Sequence, residues 1–272
     1  MSSPHLPAEL LDHIADLLQD TRDTLKSCCL VSKSWIPRTR KHLFADVAFN
    51  SPEKLQLWKN AFPDLSTSPA RYTRSLSISY PALGVTTTDA QDGGWIPTFS
   101  RVVHLEVDTW TTAVNDLVCL IPLHGFSPVV KSIHIVFTSN HSSHIFDLIC
   151  SFPSLEDLSA IGNDAFDIGS DGPEGQPTFA QPLSRPALTG SLELSVGTGM
   201  DPFLSRLLTL QGGLRFRKLQ LICHRPRDIS LATALVEGCC ATLEDLIVGW
   251  LLLRTSVLCL PLHLAPLTSV CR

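Results

Sequence analysis

The sequence predicts an α/β protein in two parts: a short helical module at the N-terminus, then a stack of strand–helix units, a solenoid. Three observations carry this expectation. The first 49 residues place apolar residues at helical spacing. Beyond them, short alternating apolar segments recur at Leu76/Ile78, Leu105/Val107, Ile133/Ile135, Leu158/Ala160, Leu192/Leu194, Leu219/Leu221 and Leu246/Val248. Several of the intervening segments have the period of a helix.

Taken in order, Leu6-Pro7 opens the first helix. Pro7 suits a first turn, where its missing N–H would have no partner, and Glu9 meets the positive end of the helix dipole. Leu10, Ile14, Leu17 and Leu18 form one apolar face. Asp20, Thr21 and Asp23 end this helix and offer caps for a second, which carries Leu25, Cys28, Leu30 and Val31. Residues 32–35 turn the chain, and Pro37 starts a third helix toward Leu43 and Phe44. Three helices this short bury too little surface to stand alone, so some of their apolar residues are expected to face a partner.

Ser51 caps and Pro52 starts a fourth helix with Leu55, Trp58 and Phe62 on one face. We read residues 50–70 as a linker helix, with the polar break at 66–69 as the domain boundary. Residues 71–250 then form the repeats. Helices are expected at 113–121, at 143–151, after Asp201-Pro202 with Phe203, Leu207, Leu208 and Leu210, and at 230–240 with Leu231, Ala234, Leu235 and Cys239. No unit buries its apolar face alone, whereas a stack of neighbours does. Residues 162–190, rich in Gly and Pro, read as a loop inserted between repeats. The spacing of Asp164, Asp167 and Asp171 there does not fit a calcium loop. The tail, 251–272, is apolar, with Arg254 and Arg272 its only Lys, Arg, Asp or Glu residues, and Pro261 and Pro266 interrupt it. It is expected to cover the end of the stack rather than to span a membrane.

Composition narrows the function. The formal net charge of −5, from 21 basic and 26 acidic residues, makes no global case for nucleic-acid binding. Nine cysteines without a Cys-x-x-Cys pair, behind an N-terminus that does not read as a secretory leader, are expected to be reduced thiols. His141 and His144 lack the further ligands a zinc site needs. No nucleophile elbow, P-loop, His-Glu-x-x-His helix or kinase signature occurs. The expectation is a non-enzyme with no catalytic residues, metal or cofactor.

Residues 1–49 resemble the F-box, through Leu6-Pro7, Glu9-Leu10-Leu11, Ile14, Leu17, Leu30-Val31-Ser32 and Trp35. The segments beyond resemble the divergent leucine-rich repeats found behind many F-boxes, above all in fungal proteins. Their starts lie 25 to 29 residues apart with one step of 34, against a repeat of roughly 20–29. Leu155 to Leu158 and Leu243 to Leu246 keep the first half of the Leu-x-x-Leu-x-Leu consensus.

The resemblance implies a substrate-recognition subunit of an SCF-type cullin–RING ubiquitin ligase, cytoplasmic or nuclear. Its F-box would dock the Skp-type adaptor through Leu6, Pro7, Leu10, Leu11, Ile14, Leu30, Val31 and Trp35. Its repeats would hold a target protein. Alternatives are an interaction scaffold without a ubiquitination role and an enzyme with an F-box-like N-terminus. Because alternate strand residues point away from the core, the target is expected on the other strand face. That face would include His104, Glu106, Asp108, His134, Glu193 and Lys218, and it is expected to be mostly polar.

Overall fold

Nine strands line up in a single open sheet whose spatial order repeats their order in the sequence. They are β1 (Asp46–Phe49), β2 (Ser75–Ser79), β3 (His104–Asp108), β4 (Ser132–Thr138), β5 (Asp157–Asn163), β6 (Ser191–Val196), β7 (Lys218–Cys223), β8 (Asp245–Leu252) and β9 (Ser256–Leu262). The computed structural model describes residues 6–79, 98–108, 128–138, 146, 148–163, 188–196, 201–210, 213–223, 228–252 and 256–262. The chain is mixed α/β, and β1 to β8 are all parallel. Parallel neighbours need a crossover connection, so every step to the next strand is a long excursion that returns one place along.

The alternation seen in the sequence sets the register. Leu76, Leu105, Ile133, Leu158, Leu192, Leu219 and Leu246 pair across successive strands as one row. Ile78, Val107, Ile135, Ala160, Leu194, Leu221 and Val248 form a second row on the same face. Apart from Val248, which is half-buried, both rows are buried. Three residues before the first row lies a further buried position, filled by Val102, Val130, Leu155, Phe216 and Leu243. Val and Phe thus fill, before other strands, the place that Leu155 and Leu243 hold. Thr73 holds the equivalent place before β2, fully buried, and its hydroxyl finds no hydrogen-bond partner among the described residues.

The N-terminal rim is stitched in the same way at each step. A carbonyl just before one strand accepts from two consecutive amides of the next: Ala45 from Arg74 and Ser75, Arg74 from Val103 and His104, Val103 from Lys131 and Ser132, Lys131 from Glu156 and Asp157, Gly190 from Arg217 and Lys218, and Arg217 from Glu244 and Asp245, all at 2.7–3.3 Å. Between β5 and β6 one amide is diverted. Gly190 N–H donates to Glu156 O, while Ser191 N–H and its hydroxyl donate to Asp157 Oδ1 at 2.6 and 2.7 Å. The Asp157 carboxylate fills the space a Cβ on residue 190 would need, so any larger residue here would push that carboxylate from its place.

Helices cover the leucine face. α4 (Pro52–Ala61) starts with Ser51 accepting from Lys54 N–H, buries Leu55 and packs Trp58 against Phe49 and Phe99, with ring centroids 5.6 and 5.7 Å away. α5 (Asp201–Leu208) buries Phe203, Leu204 and Leu207. α6 (Asp228–Cys239) buries Ala232, Leu235 and Cys239 and packs on α5 and β7. Leu148, Ile149 and Phe152, expected on a helix at 143–151, are buried. The expected helix at 113–121 lies outside the described residues, as do most of the Gly/Pro-rich segment and residues 263–272.

Two expectations change. The sheet starts at Asp46, inside the stretch read as the helical module. The helix at 52–61 is part of the sheet's core rather than a linker. In the tail, β9 pairs antiparallel with β8, Leu246 opposite Leu262 through Leu252 opposite Ser256. No helix among the described residues is long and apolar enough to cross a membrane.

Candidate docking surfaces

The three N-terminal helices are α1 (Ala8–Leu17), α2 (Arg22–Val31) and α3 (Ile36–Leu43). α3 is the hub. It packs on α1, on α2 and on the 3-10 turn Pro69–Tyr72 that leads into β2. Polar links tie it in: Arg38 Nε to Asp12 Oδ1 at 2.6 Å and His42 Nε2 to Asp16 Oδ1 at 2.8 Å bridge α3 to α1. Thr39, fully buried, donates its hydroxyl to Trp35 O at 2.9 Å, so the Cys29 thiol, 2.8 Å away, is the donor to Thr39 Oγ1. Thr21, expected to cap α2, turns its hydroxyl back to Leu18 O instead.

The apolar side chains of this unit separate cleanly. Leu11, Ala15 and Leu25 are its buried core. Leu6, Leu10 and Leu17 on one side, and Leu30 and Val31 at the end of α2, stand in solvent at 49–88% exposure. Pro7 is exposed at the N-cap of α1, while Ile14 and Trp35 are half-buried. Of the eight residues expected to touch an adaptor, Leu11 lies inside the module. It follows Leu10 by one residue, about 100° around the helix, and faces its neighbours with Ala15. Leu17, absent from that set, belongs with the exposed residues.

The second surface is the strand face opposite the helices. His104, Glu106, Asp108, His134, Glu193 and Lys218 all lie on it. Glu106, His134, Ser159, Glu193 and Gln220 pair in register across five strands. Four of them form a hydrogen-bonded chain: His134 Nδ1 to Ser159 Oγ at 2.8 Å, Ser159 donating to Glu193 Oε2 at 3.2 Å, and Gln220 donating to Glu193 Oε1 at 3.1 Å. His104, Ser132, Asp157, Ser191 and Lys218 lie in the row before it, the Asp157–Ser191 link sitting between two of its strands. The expectation of a mostly polar face holds for these two rows and fails in the next. There Asp108 pairs with Val136, Val136 with Ile161, and Ser195 with Ile222, and the three β-branched residues are half-exposed. The strands run further than the Leu-x-Leu core shows, and the extension carries these residues.

Elsewhere, a cleft between α6 and the end of the sheet is lined by Cys223, Ile229, Ala232, Thr233, Val236, Glu237 and Val248. It is apolar with two polar residues at its margin and has no convergent chemistry. No set of three metal-ligating side chains occurs among the described residues. Compared with protein-family models and with curated proteins, the chain matches none.

Proposed function

We propose that the chain is the substrate-recognition subunit of an SCF-type cullin–RING ubiquitin ligase. The helical module acts as its F-box, and the sheet with its helices acts as a leucine-rich-repeat-like solenoid that holds a target protein. Such a subunit performs no chemistry and works in the cytoplasm or nucleus. It raises the effective concentration of target lysines near the charged conjugating enzyme.

One observation supports the reading most: a module of three short helices keeps Leu6, Leu10, Leu17, Leu30 and Val31 outside while Leu11, Ala15 and Leu25 form its core. Large apolar side chains held outside a small fold are the kind of surface a partner covers. Three of the exposed residues, Leu6, Leu10 and Leu17, lie on or just before α1, and Leu30 and Val31 end α2. Both helices are held in place by α3.

The test is capture of a Skp-type adaptor by the purified chain, wild type against Leu10→Ala with Leu30→Ala. Both side chains are exposed, so circular dichroism should not change. Truncating large apolar anchors that enter a partner's pocket costs about 2 kcal/mol or more, roughly thirtyfold in affinity. Undiminished capture by the double variant would remove the basis for the reading.

A further inference from the structure

On the strand face, most of the charge lies in the first two rows, and most of the apolar surface lies in the third, which also holds Asp108. Among the described residues the outward carboxylates of the face are Asp46, Glu106, Asp108, Asp157, Glu193 and Asp245, and against them the face sets one lysine, Lys218. The cations near the strand starts stand beside the face, on the rim, and two of them are already engaged. Lys131 Nζ lies 2.8 Å from Glu156 Oε1, which raises the pKa of its ammonium through that hydrogen bond, and Arg217 Nε lies 3.9 Å from Glu244. Glu106 is exposed and makes no side-chain hydrogen bond or ion pair among the described residues. Two residues further along the strands, about 7 Å away, runs the apolar row of Val136, Ile161 and Ile222, with Ile247 of β8 in the middle row beside Gln220.

We infer that this face receives a basic segment of a protein partner, one in which lysines or arginines are interspersed with apolar side chains. The inference rests on the strand-face reading above and names the chemistry of what binds there. A cationic segment neutralises the excess of carboxylates, and its apolar side chains cover the β-branched row. An acidic segment would meet like charge, which complementary surfaces avoid. An uncharged apolar segment would desolvate Glu106, which has no side-chain partner among the described residues. Lys218 marks the one place on the face where the partner is expected to present an acceptor.

The experiment is fluorescence anisotropy of the intact chain with three labelled octapeptides: alternating Lys and Val, alternating Glu and Val, and alternating Lys and Ser. The Lys/Val peptide should bind most tightly, and its affinity should fall as salt rises. Glu106→Lys with Asp245→Lys should weaken it tenfold or more. Ile161→Ser with Ile222→Ser should bring it to the level of the Lys/Ser peptide. Reversing two carboxylates elsewhere, Asp20→Lys with Glu237→Lys, should leave affinity within about twofold, which separates this face from general charge attraction.

Equal binding of the Glu/Val peptide, or an equal loss from the distant reversal, would overturn the inference. Partners that co-purify from cells separate this from failure of the strand-face reading. If Glu106→Lys with Ile161→Ser releases them while the peptides show no preference for charge, the face binds a partner of other chemistry and only this inference falls. If they stay bound to that variant, the strand-face reading falls as well.

Discussion

The helical module and the sheet treat their leucines differently. In the sheet, the inward leucines from Leu76 to Leu221 are at most 2% exposed, because the same residues of the neighbouring strands flank them and helices cover that face. In the module, Leu25 is 1% exposed and Leu30, five residues later, is 88% exposed. Nothing in the chain's own described structure covers the outer side of α1 or the end of α2. Polar contacts, Arg38 to Asp12, His42 to Asp16 and Cys29 to Thr39, join the module's helices beside a small core. The difference teaches that apolar content alone does not mark a core. The sheet completes its own surfaces by repetition, and the module keeps some of its apolar surface for something else.

The largest expected effect tests this contrast directly. Phe216→Ala removes a fully buried ring from the sheet and should cost roughly 3–5 kcal/mol in chemical denaturation. Leu30→Ala, which removes an exposed side chain of the module, should change stability by less than about 0.5 kcal/mol. Comparable losses from the two would break the contrast.

A smaller effect sharpens it. Thr73 occupies the place before its strand that Val102 and Val130 fill before theirs, with its hydroxyl buried and unpaired among the described residues. Thr73→Val keeps the shape and removes that desolvated group, so the variant should gain about 1 kcal/mol. A loss of stability would mean that position is not equivalent to the others.

The smallest effect concerns pH. Burial pushes the Cys239 thiol from 9.0 up to about 11. The native state keeps that proton at pH values where the unfolded chain has released it. The stability this contributes is therefore fully present below pH 9 and is lost as pH rises toward 11. Urea midpoints measured between pH 8 and 11 should fall more steeply for the wild type than for Cys239→Ala; parallel slopes would contradict the assignment.

Much of the sheet was legible in the sequence because alternation over three residues is a local signal. All seven Leu-x-Leu-type segments form strands at the expected places. β1 was missed because Asp46-Val47-Ala48-Phe49 offers only Val and Phe on the inward side and follows a helix directly, so it read as the end of the module. β9 was missed because an apolar run containing Pro261 shows no period. Of the two proposed surfaces, the outward strand residues followed from parity alone. The apolar row at Val136, Ile161 and Ile222 did not, since where a strand ends depends on its neighbours. Nor could the sequence separate Leu10 from Leu11: adjacent residues at the border of a helix's apolar stripe are sorted only by how the helix is rotated against its partners.

The strict order of the strands also bears on how the chain reaches this state. From β2 onward, parallel partners are separated by nearly the same length of chain, from 25 residues between Ile133 and Leu158 to 34 between Leu158 and Leu192. Because loop-closure entropy grows only with the logarithm of length, the longest of these steps costs about 0.3 kcal/mol more than the shortest. Closing each of these connections therefore meets almost the same entropic cost. The connection between β5 and β6 is thus free to lengthen or shorten over evolutionary time with little effect on whether the next strand finds its place.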